Sequence, residues 1–156
     1  MEEQAKNLYI KLAKKVIATI PVEWETVYYL GEDEKGRGSW SSVFYFYDPK
    51  RGEFVQSNSI PQLYSIPKDK YMQAWLGMNE ILLEVYQLFA DHKRPLWEQL
   101  HLSVTRAGKF HAKCFYDVMH PDDGGQLARE LVWAHRTFGY TPTDGSWEKE
   151  MLDKYL

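Results

Sequence analysis

The chain has 156 residues, of which 44% are hydrophobic, 15% aromatic and 26% charged, a composition typical of a folded globular domain. A net charge of −3 argues against a dedicated nucleic-acid-binding protein, because such proteins present a strongly basic face. The length predicts one domain, residues 1–156, and no run approaches the roughly 20 apolar residues of a membrane span. The single cysteine, Cys114, excludes an internal disulfide, which fits a reducing cytoplasm.

An amphipathic helix is predicted at the start of the chain. Pro21 ends this helix, because proline has no N–H to donate and disfavours helical geometry at the residue before it. The residues that precede the apolar pattern are acidic and lack the apolar core of a secretion signal, so we expect no export by that route. The apolar positions recur at the i, i+3, i+4, i+7 spacing of one helical face, namely Ala5, Leu8, Tyr9, Leu12, Ala13, Val16, Ile17 and Ile20.

Three strands are predicted next. The period-two pattern predicts a first strand whose core-facing residues are Trp24, Thr26, Tyr28 and Leu30. Residues 31–38 combine three glycines with five charges and predict a mobile turn. A second strand over residues 40–47 has aromatic side chains on both faces, and a short third strand covers residues 53–56. Residues 57–67, with two prolines and three serines, predict a loop.

A second long helix is predicted over residues 69–91. Nearly all of its circumference is apolar, which is typical of a helix that is buried on more than one side. We therefore expect this helix to lie on the sheet and to be covered by another helix. Its polar positions form one narrow stripe, namely Gln73, Gly77, Glu80, Glu84, Gln87 and Asp91.

A β-hairpin is predicted over residues 97–117. Its apolar side chains fall into two sets, one with Leu100, Leu102 and Val104 and the other with Phe110, Ala112, Cys114 and Tyr116. Both sets can face the same side only if an odd number of residues separates the paired positions, so we expect a loop of three or five residues. The other face carries more polar side chains and is expected to lie nearer to solvent.

Two helices are predicted to follow the hairpin, one ending near residue 137 and one over residues 147–156. Asp122 and Asp123 precede the first of them, where negative charge stabilises a helix N-terminus. Its expected packing residues are Leu127, Leu131, Trp133 and Ala134. The whole pattern predicts an α+β fold, with an antiparallel sheet of about five strands packed with N-terminal, central and C-terminal helices.

The search for catalytic chemistry centres on the hairpin. His101 and His111 could lie near each other across it, with Asp117 further along, but their spacing matches no zinc pattern. We therefore predict no enzymatic activity, no metal and no cofactor, and we interpret Cys114 as a buried filler rather than a nucleophile. A small metal-assisted hydrolase that uses His101, His111 and Asp117 is the alternative, and a general adaptor protein is another.

Six acidic residues are the candidate partner-binding residues. They are Glu32, Asp33 and Glu34 in the predicted turn, and Asp117, Asp122 and Asp123 around the hairpin exit and the helix that follows. On residue grounds alone they suit a solvated loop and helix capping. The other interpretation is an acidic surface that binds a basic partner through charge complementarity.

Several landmarks, taken in order, resemble those of a known family. They are Leu8-Tyr9, Ile20-Pro21-Val22-Glu23-Trp24, the aromatic strand Val43-Phe44-Tyr45-Phe46-Tyr47, Gly108-Lys109-Phe110, Phe115-Tyr116-Asp117, Trp133, Phe138-Gly139-Tyr140, Pro142 and Tyr155-Leu156. Over essentially the whole chain, their order and spacing resemble those of the YezG/EsaG-like immunity proteins of Gram-positive bacteria.

That resemblance implies a cytoplasmic antitoxin. Members of the family bind and neutralise the C-terminal toxic domain, commonly a nuclease, of a large secreted polymorphic toxin. The family has no catalytic residues to carry over to this chain. The resemblance therefore implies a protein partner, no direct contact with nucleic acid and no membrane association.

Overall fold

The computed structural model of this chain describes residues 1–34 and 38–156, whose elements fall into two units, Met1–Val118 and Met119–Leu156. The second unit contains α4 (Gln126–Phe138) and α5 (Trp147–Tyr155). The first unit contains, in chain order, α1 (Glu2–Thr19), β1 (Thr26–Glu34), β2 (Ser39–Asp48), β3 (Glu53–Gln56), α2 (Ile60–Tyr64), α3 (Lys68–Asp91), β4 (Gln99–Thr105) and β5 (Phe110–Phe115). The described residues thus have the predicted α+β character.

The five strands form one antiparallel sheet in the order β3-β2-β1-β4-β5, which confirms the predicted strand number. The core face of β1 agrees with the prediction only in part. Val27 and Tyr29 belong to the main hydrophobic cluster, whereas Thr26 and Tyr28 are half-buried on the other face. Of the other two predicted residues, Leu30 is buried and Trp24 packs against the core. Both sets of alternate residues contain large apolar side chains, so the period-two pattern could not decide which set faces the helices.

Helices α1 and α3 cover the core face of the sheet, as the two long amphipathic patterns predicted. Leu12 and Val16 of α1 and Leu82 and Val85 of α3 are fully buried in the same cluster as the core side chains of the strands. Burial of a large aliphatic side chain stabilises a fold by about 1.5–3 kcal/mol. This face is therefore the main source of stability in the first unit.

Polar contacts also join α3 to the sheet. Tyr29 Oη lies 2.7 Å from Ser42 Oγ, and Ser42 Oγ donates to Asn79 Oδ1 at 2.7 Å. The indole Nε1 of Trp75 donates to the backbone oxygen of Ser42 at 2.8 Å. Because buried polar groups are costly without partners, these contacts hold α3 at a defined position along β2.

The segment that the sequence predicted to be a loop holds a 3₁₀ turn, Ser57–Ser59, and the short helix α2, so that prediction is wrong. Pro61 lies in the first turn of α2, where its missing N–H costs nothing. Ile60 is fully buried. Tyr64 donates its hydroxyl proton to Asp48 Oδ2 at 2.7 Å, which fixes the helix against the β2–β3 turn.

The predicted hairpin is confirmed. Val104 pairs with Phe110 and Leu100 pairs with Cys114, and most of the two apolar sets contacts the core. Tyr116, the last residue of the second set, follows β5 and is 40% exposed, so its predicted place on the core face is wrong. Thr105 N also donates to Lys109 O at 2.9 Å, which leaves a three-residue connection. The loop between the two paired strands is thus odd in length, as the alternation of apolar residues required.

The second unit contains two of the predicted helices. Leu131, Trp133 and Ala134 of α4 are buried, but Leu127 is 49% exposed, so its predicted packing role is wrong. At Gly124, a side chain would lie 2.7 Å from the ring of Tyr155, so this position requires glycine. The helices of the second unit are thus joined through a close approach that the sequence did not indicate.

Candidate partner-binding surface

The acidic group Glu32, Asp33 and Glu34 lies in β1 and not in a mobile turn, which corrects the structural prediction for this segment. Glu32 pairs with Ser41 of β2 and with Gln99 of β4, and the ladder continues to Glu34. Glu32 and Asp33 are each only 2% exposed. Pairing with β2 and β4 continues the strand past Gly31, although the glycines and charges of this segment favour a turn. Residues 35–37 of the predicted turn lie outside the described residues.

A chain of hydrogen bonds runs from the acidic segment to the hairpin. Gln99 Nε2 donates to Glu32 Oε2 at 2.8 Å, and His101 Nε2 lies 3.0 Å from Gln99 Oε1. Since an amide oxygen only accepts, His101 must carry its proton on Nε2. Glu32 therefore orients Gln99, which in turn selects the tautomer of His101.

Burial, together with the positive charge of Lys113, lowers the pKa of His101 to about 4, so the ring is neutral at pH 7. The imidazole also packs against Phe115, with 4.1 Å between ring centroids. A neutral ring that stacks and donates a hydrogen bond has a structural role here. Sequence reasoning identified His101 but could not find the contact between Glu32 and Gln99 that orients its partner, because this contact joins two strands that are distant in sequence.

The residues of the alternative metal-assisted site are separated along the hairpin. His111 lies opposite Ser103, His101 lies opposite Lys113, and Asp117 follows the end of β5. Within residues 1–34 and 38–156, no group of three or more His, Cys, Asp or Glu side chains is arranged to hold a metal ion. The structure therefore gives the metal-assisted hydrolase no supporting geometry.

The three later acidic residues differ in accessibility. Asp117 and Asp122 are exposed. Asp123 is half-buried, accepts hydrogen bonds from the backbone N–H groups of His120 and Gly125, and lies 3.3 Å from Arg129 Nη1. Burial alone would raise the pKa of Asp123, but these donors hold it below its ordinary value. Asp123 thus closes the loop before α4.

An open groove lies between α1 and α3, and the sequence did not indicate it. The helices run antiparallel, since Arg94 contacts Glu2 at 2.9 Å and Lys11 contacts Glu84 at 3.2 Å. The groove has a volume of about 630 Å³ and is lined by three leucines, three carboxylates and three side-chain amides. We call it the α1–α3 groove; its leucines and carboxylates are Leu8, Leu83, Leu88, Glu80, Glu84 and Asp91.

Beside the groove, part of the apolar surface of α3 is exposed. Met72 and Leu76 are each 50% exposed and Leu83 is 37% exposed, on one side of the helix. The prediction of a helix buried over most of its circumference is therefore only partly correct. The sequence did carry a signal for this exposure, because α3 has more apolar positions than one sheet and one helix can cover.

No helix in the described part of the chain is long and apolar enough to cross a membrane.

Comparison with known proteins gives related sequences over nearly the whole length. The chain is 28% identical to Immunity protein YezG of Bacillus spizizenii over 152 residues, which cover 96% of this chain and 91% of that protein. It is 27% identical to Type VII secretion system protein EsaG of Staphylococcus aureus over 142 residues, which cover 90% of this chain and 85% of that protein.

A second YezG sequence supports the same relationship. Immunity protein YezG of Bacillus subtilis is 26% identical over 153 residues, which cover 97% of this chain and 98% of that protein. Residues 5–152 also match the family described as Immunity protein YezG-like, and this match includes both structural units. The chain belongs to the YezG-like family of immunity proteins.

Proposed function

We propose that this protein is a cytoplasmic antitoxin that binds the C-terminal domain of a cognate secreted polymorphic toxin and thereby neutralises it. The observation that carries the proposal is the family match over residues 5–152, together with relatives that are named immunity proteins. The name of the staphylococcal relative, a type VII secretion system protein, favours a secreted partner.

The surface of the molecule suits an inhibitor that acts by binding. Such an inhibitor needs a complementary surface of about 1,600 Å² in total with a few anchoring side chains. The exposed side chains of Met72, Leu76 and Leu83 could supply apolar anchors. Inhibition of this kind requires no catalytic residues, so we propose that the protein has no enzymatic activity of its own.

Charge supports a nuclease as the target. A nuclease domain must bind a polyanion and therefore presents basic side chains, which a chain of net charge −3 with exposed carboxylates can attract. Of the six predicted partner-binding residues, Asp117 and Asp122 are exposed and Glu34 is half-buried. We propose that these accessible groups contribute to steering, and that Glu32, Asp33 and Asp123 support the structure around them.

The test is titration of the toxic domain encoded beside this gene with the purified protein. We expect a complex that survives gel filtration and rescue of growth on co-expression. Inhibition should be complete near an equimolar ratio of this protein to the toxin domain. Inhibition at a small fraction of that ratio would indicate catalytic inactivation instead. If the wild-type protein neither binds nor inhibits the domain, the antitoxin proposal is wrong.

A further inference from the structure

We propose that the α1–α3 groove is the docking site for a basic amphipathic segment of the toxin domain. This inference rests on the proposed function and specifies where the partner binds and what chemistry it presents. Apolar side chains of that segment would occupy the leucine floor, and its lysine or arginine side chains would pair with the carboxylates of the walls.

The first argument is the shape and floor of the groove. Leu8 and Leu88 are half-buried and Leu83 is 37% exposed, so the floor is apolar and reachable from solvent. The groove has a volume of about 630 Å³ and is wide open to solvent, so it suits a segment that lies along the surface rather than an enclosed ligand. Leu76 and Met72 extend the apolar surface along α3, which suits a long segment better than a compact small molecule.

The second argument is charge. The described lining residues include three carboxylates and no lysine or arginine. Lys11, which does not line the groove, forms an ion pair with Glu84 at 3.2 Å. Glu80 and Asp91, in contrast, have no ion-pair partner among the residues that the structure describes. Two acidic side chains beside an apolar floor are complementary to an apolar segment that carries basic groups on its flanks.

The third argument is the remaining polar lining. Gln4, Asn7 and Gln87 also line the groove, and their side chains carry amide groups. Amides can both donate to and accept from a partner, including free backbone groups at the end of a docked segment. An amphipathic segment that inserts residues at i, i+3 or i+4 and i+7 spacing is a common way to fill such a groove. A leucine floor, acidic walls and amide groups together fit this type of partner.

The experiment measures binding of the catalytically inactivated toxin domain to full-length variants at low and high salt. The variant Glu80→Lys/Asp91→Lys should weaken the affinity at least tenfold at low salt, mainly through slower association, and the effect should shrink as salt rises. Leu83→Asp should weaken it at least 100-fold, mainly through faster dissociation, while Leu83→Met should bind like the wild type.

The matched control is Glu25→Lys/Glu150→Lys, which reverses two exposed carboxylates outside the groove that, like Glu80 and Asp91, have no ion-pair partner among the described residues. It should change the affinity less than threefold. Circular dichroism and melting temperature of every variant establish that the fold is intact. Glutamate substitution of basic residues in the toxin segment should restore binding to Glu80→Lys/Asp91→Lys, because opposite charges would face each other again.

The outcomes separate this inference from the proposed function. If the wild type binds the toxin domain and the folded groove variants bind equally well, the groove is not the docking site. If Leu83→Asp converts a wild-type dimer into a monomer without changing toxin affinity, the occupant is a second copy of this chain and the inference is wrong. Failure of the wild type to bind the toxin domain would instead overturn the proposed function.

Discussion

The side chain of Leu82 occupies the space that Gly31 leaves open. A Cβ atom at Gly31 would lie 2.6 Å from Leu82 Cδ1 and 2.8 Å from Tyr29 Oη, distances that real Cβ atoms do not adopt. Gly31 thus lets α3 approach the centre of β1 closely. This glycine is a packing residue inside a strand, although the local sequence suggests a turn.

The first prediction concerns this contact. Leu82→Ala should lower the free energy of unfolding by about 2–5 kcal/mol, because it removes a fully buried side chain and leaves a cavity. Gly31→Ala should also destabilise, by about 1–3 kcal/mol, through overpacking. Urea denaturation of both variants gives the two values. A loss below about 1 kcal/mol for Leu82→Ala would contradict the central position of α3.

The double variant Gly31→Ala/Leu82→Ala is the control for direct contact. The smaller side chain at position 82 leaves room for the new methyl group, so the double variant should be more stable than the sum of the single effects implies. We expect an interaction energy of about 0.5–3 kcal/mol in a double-mutant cycle. Strict additivity would mean that the two side chains do not meet.

The second prediction concerns the buried carboxylate of Asp48. It accepts from Tyr64 Oη at 2.7 Å and from the backbone N–H groups of Lys50 and Arg51. Burial alone would raise the pKa of Asp48, but these donors hold it below its ordinary value. Tyr64→Phe removes one donor and should cost about 1–3 kcal/mol at pH 7 by urea denaturation.

The contribution of Tyr64 should depend on pH. A lowered carboxyl pKa adds stability above the ordinary value of about 3.9, and that stability is lost as acid protonates the folded state. The difference between the wild type and Tyr64→Phe should therefore narrow as the pH falls below about 4. An equal difference at pH 7 and pH 3 would mean that the hydroxyl does not stabilise the ionised form of Asp48.

The third prediction concerns His101, whose pKa is lowered to about 4 in the folded protein. An unfolded histidine titrates near 6.5, so the unfolded chain binds more protons between these values and acid favours unfolding. The contribution is fully present above pH 6.5 and decreases as the pH falls towards 4. Between pH 7 and pH 5 it should account for about 1–2 kcal/mol of lost stability.

His101→Gln removes this titrating group and should flatten the dependence of the unfolding free energy on pH over that range. His111→Gln is the matched control, since His111 is exposed on the neighbouring strand. Its pH dependence should follow that of the wild type. If His101→Gln keeps the wild-type slope, His101 is not protonated on unfolding in the way that its buried position implies.

The fourth prediction separates buried from exposed acidic residues. Glu32→Lys would place an unpaired charge at a position that is 2% exposed and should destabilise the protein by about 3–5 kcal/mol. Asp122→Lys, at an exposed position, should change stability by at most about 0.5 kcal/mol. Thermal and urea denaturation measure both. Similar stability for the two variants would contradict the placement of Glu32 within the paired strand.

Local signals were sufficient for the elements with one clear periodicity and a clear end. The apolar pattern and Pro21 predicted α1, and the two apolar sets predicted the register and the odd loop of the hairpin, because these constraints act between near neighbours in sequence. The ordered landmarks indicated the immunity family through a resemblance to known proteins rather than through residue chemistry, and the family match over residues 5–152 confirms it. None of these inferences required knowledge of long-range contacts.

Tertiary structure decided the remainder. Gly31 and Glu32 are strand residues because β2 and β4 pair with β1 on both sides, and Val27 rather than Tyr28 faces the core because the helices cover that side. The α1–α3 groove brings together Leu8 and Leu83, whose separation in the chain hides their proximity. Periodicity shows which residues share a face, but only long-range packing selects which face is buried and which remains open to a partner.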